Sequence, residues 1–167
     1  MATPTNLPAT QTSGAILNAS WLNNLRGAFR ILQVVSASTS TAVASSTTTL
    51  VDTGLSATIT PQSSSSKILV YVAHPQNIKT TPNGFTCMKL SLLRGSSVIQ
   101  DVVTVAGFTG TSLDNVFGVT GIALDSPATT SATTYKTQFA SAFGAASVSV
   151  QYGSAGTSTI ILMEVSA

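Results

Sequence analysis

Thr134-Tyr-Lys-Thr-Gln-Phe-Ala140 decides the fold class. In an extended chain Tyr135, Thr137 and Phe139 point one way and Lys136 and Gln138 the other, because strand side chains alternate with a period of two. A helix would scatter the same residues around its circumference. The pattern recurs downstream in Ser147–Tyr152, where Val148, Val150 and Tyr152 alternate with Ser149 and Gln151. Upstream, Leu55, Ala57 and Ile59 alternate with Ser56, Thr58 and Thr60 until Pro61 stops the strand. Leu32–Val35 opens the series, followed by the Ser/Thr tract Ser36–Thr49. Lys67–Ala73, Phe85–Leu93, Ser97–Val105, Phe117–Leu124 and Thr157–Val165 complete it. Turns are expected at Ser63–Ser66 and at Thr81-Pro-Asn-Gly84, where proline fixes φ and Asn-Gly accepts a positive one. Roughly nine strands spaced about ten residues apart predict an all-β chain, an antiparallel β-sandwich or jelly roll.

Composition narrows the function classes. Only 7% of the 167 residues are charged, against about 25% in an ordinary soluble domain. There are 24 serines and 26 threonines, but one histidine and one cysteine. A catalytic or metal site gathers several titratable groups, and few are on offer. The net charge of +2 excludes a strongly basic nucleic-acid binder. One cysteine cannot form an intrachain disulfide. A mean hydropathy of +0.37 hints at a membrane, yet the longest apolar run is near Ile68–Ala73, far short of about 20 residues. At 6% aromatic, the chain also lacks the girdles of a membrane barrel, so no membrane insertion is expected. Met1–Pro8 has neither a basic region nor an apolar segment, which predicts synthesis and folding in a cytoplasm. Hydrophobic content of 43% is too high for a disordered chain. Hydroxyls coating the outer faces, with little charge repulsion, suit a domain that hides surface in an oligomer.

Two units are expected. Residues 1–14 are polar, with Pro4, Pro8 and Gly14, and read as an extended arm. Trp21, Leu22, Leu25 and Phe29 then fall at helical spacing, with Asn18 or Ser20 as cap and Arg26 and Arg30 favouring the C-terminal dipole. Gly27 limits this helix to about three turns. The stripe either packs on its own domain or docks into a partner, which makes Trp21, Leu22, Leu25, Arg26, Phe29 and Arg30 the candidate docking residues. Residues 31–167 form the β domain. Its last strand is apolar on both sides: Ile161, Met163 and Val165 face one way, Ile160 and Leu162 the other. Lys67–Ala73 shows the same doubling. A strand buried on both faces needs a second cover, so subunits are expected to pack about a shared axis, with Ile160, Leu162, Leu69 and Tyr71 as candidate interface residues.

Sites for chemistry are scarce. His74 precedes Pro75 at an expected strand end, and no Gly-x-Ser-x-Gly elbow accompanies it. A hydrolase using His74 stands as an alternative to a non-enzymatic protein. Asp101, Asp114 and Asp125 read as caps and Asx-turns, since no calcium-loop pattern links them. Cys87 reads as a buried thiol on a strand. Neither Gly-x-Gly-x-x-Gly nor a P-loop occurs, so no cofactor is expected, and no catalytic or metal residues are assigned. Asn18-Ala-Ser20 matches a glycosylation sequon but reads better as a cap.

Gly14-Ala-Ile-Leu-Asn-Ala-Ser-Trp-Leu-Asn-Asn24 resembles a short N-terminal motif of bacteriophage tail-fibre and minor tail proteins. The β region resembles a domain frequent at the ends of tail-fibre-like phage proteins. The matching words are Asp52-Thr-Gly-Leu-Ser-Ala-Thr-Ile-Thr-Pro61, Ser64-Ser-Ser-Lys-Ile-Leu-Val70, Leu93-Arg-Gly-Ser96, Leu124-Asp-Ser-Pro-Ala-Thr-Thr-Ser-Ala-Thr-Thr-Tyr-Lys136 and Ser158-Thr-Ile-Ile-Leu-Met-Glu164. The resemblance covers about residues 14–24 and most of 50–165. It implies a trimeric jelly roll similar to the tumour-necrosis-factor and complement globular heads, carried on a virion and made in a bacterial cytoplasm. It implies other phage virion proteins, of tail or capsid, as partners, and a host-surface saccharide as a possible contact. Long fibres carry a shaft between anchor and knob; here none separates the two. The expected roles are therefore a short tail fibre or tail-associated appendage, or alternatively a capsid decoration (cement) protein.

Overall fold

The computed structural model describes residues 31–80, 85–143 and 146–166. The arm and helix expected over 1–30 lie outside them, and with these Trp21, Leu22, Leu25, Arg26, Phe29 and Arg30; so does the turn at 81–84. Among the described residues ten strands carry the fold: β1 (Ile31–Thr39), β2 (Val43–Ser45), β3 (Val51–Ile59), β4 (Lys67–Lys79), β5 (Met88–Arg94), β6 (Ser97–Ala106), β7 (Asn115–Asp125), β8 (Thr133–Ser141), β9 (Val148–Val150) and β10 (Ser158–Val165). Every ladder among them is antiparallel. Apart from one 3-10 turn at Tyr152–Ser154, the described residues are all-β, as the alternation predicts.

The strands make two sheets. In the first, β4 is central: β7 pairs along one edge, while β10 and then β9 share the other, with β1 beyond β10 and β2 beyond β9. The second runs β3-β8-β5-β6. A simple rule underlies this order. Counted from the tight turn between Arg94 and Ser97, each strand pairs with its counterpart: β5 with β6, β4 with β7, β3 with β8, β2 with β9 and β1 with β10. The domain is one long hairpin folded over itself, with its rungs shared between two sheets. Gly95 opens the central turn at φ 59°, a conformation that glycine adopts without a Cβ penalty.

Two bulges shape the interior. Pro75 cannot donate to a ladder, and the β4–β7 register breaks between His74 and Asn77. Asn77 holds the break by donating from Nδ2 to the carbonyls of His74 (2.9 Å) and Phe117 (3.2 Å). There β4 exchanges β10 for β9 as its neighbour. The proline therefore interrupts pairing without ending the strand, which runs on to Lys79. In β3 the register shifts between Asp52 and Ser56, with Gly54 at φ 81°, and Thr53 is buried.

The core lies between the sheets. Ile68, Val70 and Val72 of β4 and Ile160 and Leu162 of β10 meet Leu55, Ile59, Leu92 and Tyr135 from the second sheet. A second cluster, nearer the other end, joins Met88, Leu90, Phe139, Val148 and Val150. Other boundaries depart from the alternation. β1 runs to Thr39 and β2 lies within the Ser/Thr tract, because threonine and valine fit a pleated surface. β5 starts at Met88, leaving Phe85 in the preceding loop, and β9 ends at Val150, before Gln151 at φ 50°.

Candidate functional site

His74 sits inside the sandwich, not at a strand end. Its Nδ1 lies 2.9 Å from Ser158 Oγ and 3.3 Å from Gln151 Nε2, and its Nε2 lies 3.1 Å from Thr137 Oγ1. Thr137 in turn meets Thr53 Oγ1 at 2.6 Å. All five side chains are buried. Burial pushes the imidazole down to about pKa 4, because removing water penalises the charged ring. Among the described residues the ring's partners are hydroxyls and an amide. The oriented carboxylate and open approach that a nucleophilic triad requires are not part of this arrangement. The cluster ties β4, β10, β8 and β3 together across the core.

The carboxylates are dispersed. Asp101 lies beside Lys89 (3.0 Å) and accepts from Ser91 (2.7 Å); those hydrogen bonds, with Ser91's the larger effect, hold its pKa below the usual range. Asp125 ends β7, bound by Arg94 and by the Tyr135 hydroxyl at 2.7 Å. Asp114 lies in the β6–β7 loop. Glu164 is buried. Burial pushes its pKa up, but hydrogen bonds from Gln33 Nε2 (2.6 Å) and the Gln62 backbone N–H (2.7 Å) outweigh that and leave it lowered. No group of three His, Cys, Asp or Glu among the described residues could hold a metal ion. Cys87 is buried just before β5, where desolvation pushes its thiol up. Among the described residues no helix is long and apolar enough to cross a membrane.

The two outer sheet faces differ sharply in chemistry. On the second sheet Lys136 pairs with Asp52 at 2.8 Å, and Lys89 with Asp101. The first sheet's outer face is apolar. Val34, Met163, Leu69 and Leu124 stand in one row across β1, β10, β4 and β7, and Ser36, Ile161, Tyr71 and Ile122 in the next. Ile122 and Leu124 are each 59% exposed. The flanking row is Ser38, Thr159, Ala73 and Thr120, again uncharged. On the other side Lys67 closes the patch. Patches of this kind on soluble proteins mark contact surfaces.

This geometry corrects half of the expected interface set. Leu69 and Tyr71 lie on the outer face. Ile160 and Leu162 do not: they pair with Val72 and Val70, share their side, and are wholly buried in the chain's own core. The outward residues of β10 are Ile161 and Met163. With both sides apolar, the sequence of this strand carries no sign of which side is inner.

The ends of the sandwich also differ. Ile31 pairs with Val165, and Val165 with Lys67, so residues 1–30 join at that end. The described parts of three loops, 80–87, 107–114 and 142–147, gather at the opposite end. Each carries an exposed phenylalanine, namely Phe85 (66%), Phe108 (46%) and Phe143 (58%). The Phe85 and Phe108 rings lie 6.0 Å apart, tilted by 49°. The sequence reading missed these residues. Phe85 is contiguous with the apolar run of β5, and its β-favouring aromatic ring extends the expected strand past the point where the ladder starts at Met88.

No protein-family model matches the chain, and no curated protein matches it.

Proposed function

We propose that the chain is a bacteriophage virion structural protein: a homotrimer that docks on the particle through residues 1–30 and presents a jelly-roll knob from residue 31 onward. The role that the geometry fits best is a short tail fibre or tail-associated appendage contacting the host surface. One observation carries this reading. The outer face of the first sheet is an uncharged apolar surface over four strands, while the second sheet's outer face keeps its ion pairs. Three copies packed about an axis through the first face would cover it and leave the second in water. The folded-over hairpin, with strand orders β1-β10-β4-β7 and β3-β8-β5-β6, supports the jelly-roll reading. The polarity of the domain supports the placement, since the docking segment joins one end and the long loops crowd the other.

Capsid decoration is the second reading. The observation that favours it is the lack of any shaft between the amphipathic stripe and Ile31, which leaves the knob close to its docking surface. Gold-labelled antibody on intact virions separates the two. Label confined to the tail is the expected outcome; label spread over the head assigns decoration, and unlabelled particles contradict both. Deleting residues 1–30 should abolish incorporation while leaving a folded β domain.

A further inference from the structure

We infer that the His74 cluster is a proton-operated latch: a proton taken up by the imidazole frees the segment from Gln151 to Ser158, with β9 and β2, while the rest of the sandwich stays folded.

The hydrogen bonds admit only a neutral ring. Gln151 Nε2 is a donor, and it lies 3.3 Å from Nδ1 and 2.9 Å from Ser158 Oγ. Nδ1 is therefore the acceptor, and the ring proton sits on Nε2 and points at Thr137 Oγ1. Thr53 Oγ1 accepts in turn from the Thr137 hydroxyl and from the Leu55 N–H at 3.1 Å. A second proton, on Nδ1, would face the Gln151 amide donor against donor. Gln151 Oε1 is buried without a hydrogen-bond partner among the described residues, and turning the amide would bring it to that proton, but the charge would remain.

No counter-charge meets it. The ring is faced by Ser158 from β10, by Thr137 from β8 and by its register partner Val119 from β7, with Thr53 of β3 behind Thr137. The charged groups of these elements are engaged elsewhere. Glu164 of β10 pairs with Ile68 near the start of β4, Lys79 is bonded to the Thr111 carbonyl, and Asp52 and Lys136 pair with each other on the outer face. Tyr152, beside Gln151, is exposed. A buried cation without a partner is stabilised only by reaching water.

The way to water lies at the weakest corner of the fold. His74 stands at the register break where β4 leaves β10 and takes up β9. β9 and β2 have three residues each, and among the described residues β2 pairs with β9 alone. On the other side of the ring, β3 and β8 share a ladder from Val51 to Ile59. Between β9 and β10 two non-glycine residues hold positive φ, Gln151 at 50° and Ser154 at 54°, a strain that release removes. Gln76 Cβ fills the place of a Cβ on Gly156, so the segment lies directly on the break. One proton thus biases a short element between a closed and an open form. The ring protonates near pH 4 when closed and near pH 6.5 in water, so opening is about seventyfold more frequent at pH 4.5 than at pH 7.5.

Hydrogen–deuterium exchange of the full-length chain is followed from pH 7.5 to 4.5, beside His74→Gln and Gln151→Glu, with each rate divided by that of an unstructured chain at the same pH. Protection over Val43–Ser45 and Val148–Ser158 should fall by about seventyfold in the native chain. Amides of β3 and β8 should exchange at least about tenfold more slowly than these at every pH. His74→Gln takes up no proton and should keep the protection constant. Gln151→Glu sets a carboxylate against Nδ1 and should hold the segment closed at pH 4.5 through an ion pair; either variant decides the role of the ring if the other does not fold. Three results would overturn the latch: protection that does not change with pH, β3 and β8 exchanging at the same rate as the freed segments, or an equal fall in His74→Gln.

Discussion

His74 is the residue whose environment makes the sharpest demand. In the folded chain it stays neutral down to about pH 4, while an unfolded histidine takes up its proton near pH 6.5. Its contribution to stability is therefore complete above pH 6.5 and drains away as pH falls toward 4, by about 3 kcal/mol in all. Urea unfolding from pH 7.5 down to about 4.5 should show this loss in the native chain, and His74→Gln should remove that part of the slope. Identical slopes would mean that the ring is not held neutral. Glu164 titrates lower. Its folded pKa is depressed, so its contribution is present above the ordinary carboxylate range and is lost as pH falls below it. Glu164→Gln turns an amide N–H₂ toward one of the donors, Gln33 Nε2 or the Gln62 N–H, and should cost about 2 kcal/mol of unfolding free energy. A change under about half a kcal/mol would show that the carboxylate does not hold the 61–66 turn.

At the scale of elements, the Arg94–Ser97 turn is the innermost point of the hairpin, from which every other rung is counted. Open space surrounds the point where a Cβ would stand on Gly95, yet its φ is 59°, so Gly95→Ala is a backbone test without a clash. It should cost about 1 kcal/mol in equilibrium unfolding; an unchanged midpoint would show that the turn relaxes freely. Legibility in the sequence divides along the same elements. β3 and β8 are readable because apolar and polar residues alternate, which names both strand and inner face, as with Tyr135 and Phe139. β10 is readable as a strand but not as to its facing, since Ile160 and Ile161 are chemically identical and only the register against Val72 and Tyr71 separates them. The reading of β4 stops short at His74-Pro75 because a proline normally ends a ladder, and the Asn77 side chain that bridges the gap lies outside any local pattern. The exposed phenylalanines at one end of the sandwich stand on loops from three parts of the chain, so no local window contains them together.

For the molecule as a whole, topology and surface chemistry make separate demands. Pairing β1 with β10 closes nearly the whole described chain, and such non-local ladders fold slowly. Refolding from urea should run over milliseconds to seconds or longer, and a microsecond phase carrying full amplitude would contradict the nested pairing. The larger claim concerns the apolar face, where Leu69, Tyr71, Ile122, Leu124, Ile161 and Met163 stand without a charge among them. Light scattering on the purified full-length chain at micromolar concentration tests it most directly, run beside Ile122→Asp/Leu124→Asp, which places two charges on exposed positions of that face. Assembly through this face predicts three times the 17.0 kDa chain mass for the native protein and the single-chain mass for the variant. A native monomer, or a trimer that the two aspartates leave intact, would contradict it.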